Sequence, residues 1–266
     1  AEDLIANGDV EAIIIATPHF FHPPVAEFAA ARGVHVLSEK PIAVTVSSAD
    51  AMIAACDKGG VMLGVMFQQR LEGVRVHMKR LIESSALGKL HRISMTAPWY
   101  RPQAYYDMGA WRGTWKGEGG GILMNQAPHS LDQFVWLAGR APQSVQAIAT
   151  TRLHTIEVEN TAHAICDFGD GLTGYFYAST AEVPTAERVE IAGDKGVLVL
   201  EGASLRFYEL EQPISQHLGT ATGGFDRPSG AWRDIEYEAK PQNHAEVTRE
   251  FAKAVRAKDP SLMVAD

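Results

Sequence analysis

The chain of 266 residues has room for one large domain or two ordinary ones, and 46% hydrophobic with 21% charged residues excludes a disordered class. A formal net charge of -8 argues against a nucleic-acid partner, which would need a basic face to release phosphate counterions. No apolar run approaches bilayer-spanning length. The two cysteines, Cys56 and Cys166, lie far apart and form no disulfide framework, which fits a reduced, cytoplasmic compartment with an upstream export signal left open.

The opening, Ala1-Glu2-Asp3-Leu4-Ile5, reads as the middle of a helix with no initiator methionine or signal peptide. At the other end, Met263-Val264-Ala265-Asp266 carries no capping sequence, so the chain is expected to be an internal fragment of a longer protein. Residues 11–17 form a continuous apolar run ending in polar residues, as in a parallel strand buried on both faces. A helix is predicted from about Pro24 to Arg32 with Gly33 as its stop, then a strand over 34–38. A second helix, from about Ser48 to Lys58, ends at Gly59-Gly60 before a strand over 61–67. Strands alternating with helices imply βαβ units and a parallel sheet.

After Gln68 the pattern changes. A helix is predicted over about Val74 to Ser84, a strand around Leu90 to Thr96, a long aromatic loop from Pro98 to Lys116, and a helix over Pro128 to Leu137. From Ser144 to Tyr208 closely spaced strands joined by tight turns indicate an antiparallel sheet, with the acidic residues of 182–190 expected on a solvated strand edge. A Gly/Thr/Pro-rich loop spans Gln212 to Ser229, and the closing helix, His244 to Ala257, carries Val247, Phe251 and Val255 on one face. The fold class is therefore α/β, a parallel sheet followed by an α+β domain with a large, mainly antiparallel sheet, divided at 1–68 and 69–266.

Two places carry chemistry. Glu39-Lys40-Pro41 follows a buried strand, and ligands of open α/β sheets sit outside the carboxyl ends of the strands, so Lys40 is a site residue or else a solvated lysine. Pro41 restricts the lysine backbone to extended conformations. The second is the segment from Gly119-Gly120-Gly121 through Asn125 to Pro128-His129-Ser130-Leu131-Asp132. Proline is favoured at the first helical position, so His129 lies in the first turn, where the helix dipole disfavours its charged form and leaves a neutral base. The bland reading is a half-buried structural histidine. Asp132 would orient the ring or complement the dipole. The glycines let the backbone approach something closely. The rings of Trp99, Tyr100, Tyr105, Tyr106, Trp111 and Trp115, clustered with Arg101, Arg112 and Lys116, suit either a core or stacking on a sugar ring or nicotinamide. His19 and His22 lack neighbouring Cys, Asp or Glu, so no metal is expected.

Together, the Glu39-Lys40-Pro41 triplet, the upstream Ala16-Thr17-Pro18-His19-Phe20-Phe21-His22, and the Gly-Gly-Gly to His-x-x-Asp segment resemble the Gfo/Idh/MocA oxidoreductases, the relatives of glucose–fructose oxidoreductase and inositol dehydrogenase. Gln68-Gln69-Arg70, Ile156-Glu157-Val158-Glu159-Asn160 and the Gly193–Gly196 hairpin extend the match through most of the chain. The resemblance implies a Rossmann domain that binds NAD or NADP and a second domain that contributes a substrate site for a sugar, cyclic polyol or derivative. It implies that Lys40 contacts substrate and nicotinamide ribose and that His129 donates or accepts a proton while a hydride moves. It places Ala16, Thr17, Pro18, His22, Glu39 and Gln68 along the cofactor groove, brings Trp111 and Arg112 toward the cofactor, and puts Trp115 and Asp132 near substrate. A homo-oligomer, dimer or tetramer, is also implied.

This chain departs from the pattern twice. Asn125 stands where many inositol-type relatives have aspartate, and an amide cannot take a proton but hydrogen-bonds a sugar hydroxyl as donor and acceptor, so Asn125 is assigned to substrate orientation. The Gly-x-Gly-x-x-Gly fingerprint is absent, since Gly117–Gly121 follows no buried strand. The first strands and the pyrophosphate loop are therefore expected to be missing, and the fragment to bind dinucleotide poorly. The alternatives are a non-catalytic sugar or nucleotide sensor on the same fold, and a cofactor-recycling enzyme that cleaves a glycosidic bond.

Overall fold

The computed structural model describes residues 1–263; of the uncapped end, residues 264–266 lie outside the described residues. A short helix α1 (Glu2–Ala6) precedes β1 (Ala12–Ile15), α2 (His22–Ala30), β2 (His35–Ser38), α3 (Val46–Gly59) and β3 (Leu63–Val65). The strands form a parallel sheet in the order β1-β2-β3. Thr45 caps α3 by accepting from the Ser48 N–H, and Gly60, in the left-handed region, ends it. Ala26, Ala29, Val36 and Met52 fill the space between this sheet and its helices.

The chain then makes α4 (Gly73–Glu83), β4 (Leu90–Pro98), α5 (Gln103–Asp107) and α6 (Pro128–Ala138). The remaining strands are β5 (Ser144–Thr150), β6 (Thr161–Gly169), β7 (Leu172–Ser179), β8 (Arg188–Gly193), β9 (Gly196–Glu201) and β10 (Ser204–Leu210). Last come α7 (Ile214–Thr220), β11 (Gly230–Asp234) and α8 (His244–Ala257). The second sheet has eight strands in the order β11-β10-β9-β8-β4-β7-β6-β5, antiparallel except for the parallel pair β4 and β7. One face buries Ile93, Met95, Phe176 and Ile191 under α6, whose Phe134 packs on Phe168 and Phe176. The other face is open, with Ile148, Ile165 and Tyr175 exposed.

Three expectations change. The aromatic loop and the 212–229 loop each contain a short helix, α5 and α7, because each follows a proline that presets the first turn. The acidic stretch is a solvated edge only at its start, where Glu182 is exposed: β8 is an interior strand between β9 and β4. Just before β8, Glu187 accepts from Ser130 Oγ at 2.9 Å and pairs with Arg75, and on the strand Glu190 pairs with Arg92 and Arg188. Finally, α8 does not pack within the second domain. Its Val247, Phe251 and Ala254 join Leu37, Met66 and Leu71 in a separate core, so the end of the chain returns to the first sheet. Its amphipathic face was readable, but its target was not.

Candidate active site

All three parallel strands deliver their carboxyl ends to one mouth. Ala16-Thr17-Pro18 follow β1, Glu39-Lys40 follow β2, and Met66-Phe67-Gln68 follow β3. The Glu39 N–H donates to the Ile15 carbonyl and the Met66 N–H to the Ser38 carbonyl, so these ends are held in step. His22 ties the first end to the second. It is fully buried, and its Nε2 and Nδ1 lie 2.7 Å from the Thr17 carbonyl oxygen and 2.9 Å from that of Pro41. The Lys40–Pro41 peptide is cis.

Lys40 is not a solvated lysine. Its Nζ donates to the Asn125 carbonyl oxygen at 2.6 Å across 85 residues, bridging the two domains. Burial pushes its pKa below the ordinary lysine value, opposed by the charges of Glu39 and Glu118. His129 sits on the first turn of α6, only 8% exposed, against the edge of Phe67. Its pKa falls to about 4, first through burial, then through the Lys40 charge and then that of His244. The ring is therefore neutral at physiological pH, as the sequence suggested, but desolvation is the leading cause. The Gln68 amide nitrogen lies 3.4 Å from His129 Nε2, while His129 Nδ1 and Gln68 Oε1 are buried with no hydrogen-bond partner among the described residues.

Asp132 is held by a basic partner. Both of its oxygens engage Arg70, Oδ1 from Nη2 at 2.5 Å and Oδ2 from Nε at 2.9 Å, so it anchors that guanidinium. Asn125 stands in the site with its amide donating to Glu118 and, at 3.4 Å, to the Tyr105 hydroxyl. Trp111 and Trp115 are largely exposed at the rim, and Arg112 stacks on Trp111 and Tyr105 while donating to the Tyr105 hydroxyl. The aromatic loop is thus divided, since Tyr106 is buried and bonded to Thr180.

Glu118 escaped the sequence reading, and Tyr105, named there only as a ring of the aromatic loop, acts through its hydroxyl. Glu118, 1% exposed, accepts from the Gly113 N–H at 2.6 Å and from the Asn125 side chain. Its backbone carbonyl accepts from His19 Nδ1 at 3.1 Å. Tyr105 gathers Arg112, Asn125 and Gln126 on one hydroxyl. A carboxylate set among glycines was the one available signal for Glu118.

The glycines do allow close approach, but to protein. Gly119, at φ +81°, would put a Cβ 1.8 Å from Val44, and a Cβ on Gly121 would fall 1.7 Å from the Glu159 carbonyl oxygen. The Gly121 N–H donates to the Glu159 carboxylate at 3.0 Å, and the Leu123 N–H at 3.1 Å. Gly121→Ala should destabilise the protein by about 1–3 kcal/mol, seen as a lower urea midpoint at unchanged slope. An unchanged midpoint would show that the turn yields freely.

A model of the oxidoreductase family described as NAD-binding Rossmann fold matches residues 1–67, and the GFO/IDH/MocA C-terminal domain model matches residues 76–199. The chain belongs to the Gfo/Idh/MocA family. It is 31% identical over 191 residues to 1-carboxy-3-chloro-3,4-dihydroxycyclohexa-1,5-diene dehydrogenase of Comamonas testosteroni, covering 68% of this chain and 47% of that one. It is 25% identical to the NADP(+) scyllo-inositol 2-dehydrogenase IolW of Bacillus subtilis, covering 76% and 54% respectively. The chain thus spans about half the length of these curated relatives. The WlbA dehydrogenase of Bordetella pertussis, solved with NADH and UDP-GlcNAcA, superposes with a TM-score of 0.78 at 29% identity, covering 97% of this chain and 72% of that one. Among the described residues, no helix is long and apolar enough to cross a membrane.

Proposed function

We propose that the full-length protein is an NAD(P)-dependent oxidoreductase acting on a CH–OH group of a sugar, cyclic polyol or derivative, with Lys40 and His129 at the reaction centre. One observation carries the reading: at the carboxyl ends of three parallel strands, a half-buried lysine bonded to the second domain lies close enough for its charge to act on a buried, neutral histidine of that domain. The family relation and the dehydrogenases above support it.

The strand ends fit the nicotinamide half of a dinucleotide. Thr17, Pro18, His22, Glu39 and Gln68 would line it, and the unpartnered Gln68 Oε1 offers an acceptor to a buried amide or hydroxyl. When bound, the nicotinamide supplies the acceptor or donor for a hydride at the substrate carbon. The chain's own residues handle the oxygen and its proton. Lys40 draws electron density from the reacting oxygen and so eases loss of its proton, which His129 takes during oxidation and returns during reduction. Asn125 and Trp115 would orient the sugar ring. The open face of the second sheet, with Ile148, Ile165 and Tyr175 exposed, supports the expected homo-oligomer.

The test is spectrophotometric hydride transfer by the full-length protein with NAD+ and NADP+ against neutral sugars, nucleotide sugars and cyclic polyols. No turnover and no redox change of a bound nicotinamide on any of them would favour the sensor. The pH profile adds a second check. His129 is neutral above about pH 4, so kcat/KM should hold its plateau through mildly acidic solution and fall only near that value. The alkaline limb should come below the ordinary lysine value of 10.5, because burial makes Lys40 lose its proton earlier. Lys40→Arg, which cannot deprotonate in this range, should remove that limb.

A further inference from the structure

A cleft of about 370 Å³ opens beside the candidate active site, between the start of α4, the end of β4 and the segment leading into β8. Its lining includes Arg75, Trp99, Arg101, Thr185, Glu187 and Gln242. It shares a wall with the reaction centre: Glu187 accepts from Ser130, the neighbour of His129, and Gln69, also on the cleft, follows Gln68.

The cleft holds two carboxylates and two guanidiniums, but both carboxylates lie against Arg75. Glu187 is committed to Arg75 and Ser130, and Glu72 approaches Arg75 Nε at 3.4 Å. Arg101 is different. Its Nη1 donates to the Tyr100 carbonyl oxygen at 3.0 Å, its guanidinium lies 5.1 Å from the Tyr105 ring centroid, and its Nε is sealed from solvent without an acceptor. Buried Arg75 likewise keeps Nη1 without an acceptor. A planar fork of guanidinium donors matches a carboxylate or phosphoryl group. The Tyr105 ring under Arg101 also places its hydroxyl 3.4 Å from the Asn125 amide, so cleft and site share one side chain. Trp99 and Pro98 add an apolar wall suited to a sugar face.

We propose that this cleft is a subsite for an anionic group carried on the substrate, a carboxylate or a phosphoryl group, with Arg101 as its counter-ion. The proposal deepens the oxidoreductase reading and rests on it only in taking the neighbouring site to hold a sugar. It makes the substrate an acidic or phosphorylated sugar derivative rather than a neutral polyol.

Calorimetric titration of the 266-residue chain with D-glucuronate, D-glucose 6-phosphate and D-glucose tests it. At least one anion should bind about ten-fold more tightly than glucose, the size of one charge-assisted hydrogen bond, and the stronger arm identifies the group. Arg101→Gln should erase that preference while leaving glucose binding and the thermal midpoint unchanged, and Arg101→Lys should restore part of it. Equal binding of all three sugars, binding of none, or a preference that survives Arg101→Gln overturns the proposal. Because the readout is binding, a preserved anion preference with no hydride transfer in the full-length protein would defeat the oxidoreductase reading and leave the subsite standing.

Discussion

In the full-length protein, His129→Ala is expected to lower kcat by about 10²–10⁴-fold, the range for losing a positioned proton-transfer group. Lys40→Ala should cost on the order of 10²–10³, as for a single preorganised donor to a developing oxyanion. The double variant should be far less impaired than the product of the two, because each group works on the oxygen that the other prepares. The lysine also helps to hold His129 neutral, so the pair is coupled before substrate arrives. Loss of fold is separable from loss of chemistry. The pKa of His129 is about 4 in the folded protein, below its ordinary value of 6.5, so the histidine's stabilising contribution is complete above pH 6.5. That contribution is lost as pH falls from 6.5 toward 4, where the unfolded chain takes up the proton first. His129→Ala should therefore flatten the acid dependence of stability over this window while remaining folded at neutral pH. Near-normal turnover in both single variants would sink the assignment.

The site was half legible in the sequence, and the division has a physical cause. Lys40 could be found because a strand end has a fixed direction in an α/β sheet, and His129 because Pro128 marks a helix start. Both signals are local. Glu187 was misread because charged residues beside a strand look solvated until the partner is known, and Arg75 lies 112 residues away. Asp132 has the spacing to serve His129, yet Arg70 reaches it first across 62 residues. The closing helix showed its apolar face, but nothing in α8 says that the surface it covers lies on the first sheet, formed some 200 residues earlier by β2 and the segment after β3. The triple glycine correctly announced close packing of backbone, while what it packs against, Val44 and Glu159, depends on loops that carry no periodic pattern.

Glu118 was invisible for the same reason, and it carries the second large effect. Its carboxylate is buried and accepts from the Gly113 N–H and the Asn125 amide, so the cost of burial is offset by two donors and by nearby Lys40. Glu118→Ala leaves the Gly113 N–H without its acceptor and the Asn125 amide with only the Tyr105 hydroxyl, and should cost about 1–3 kcal/mol, measured as a fall in unfolding free energy. Glu118→Gln is the more informative change. The amide keeps one acceptor oxygen but turns an N–H toward the Asn125 amide, which frees the group expected to orient substrate, so KM should rise more than kcat falls. It also removes a negative charge that raises the pKa of Lys40. The lysine should then lose its proton at lower pH, and the alkaline limb of kcat/KM should move down the pH scale, whereas Glu118→Asp should hold it near its original position. A purely structural carboxylate would lower stability without moving that limb. An unshifted limb in Glu118→Gln, with KM unchanged, would therefore reduce Glu118 to a packing residue and leave Lys40 tuned by burial and Glu39 alone.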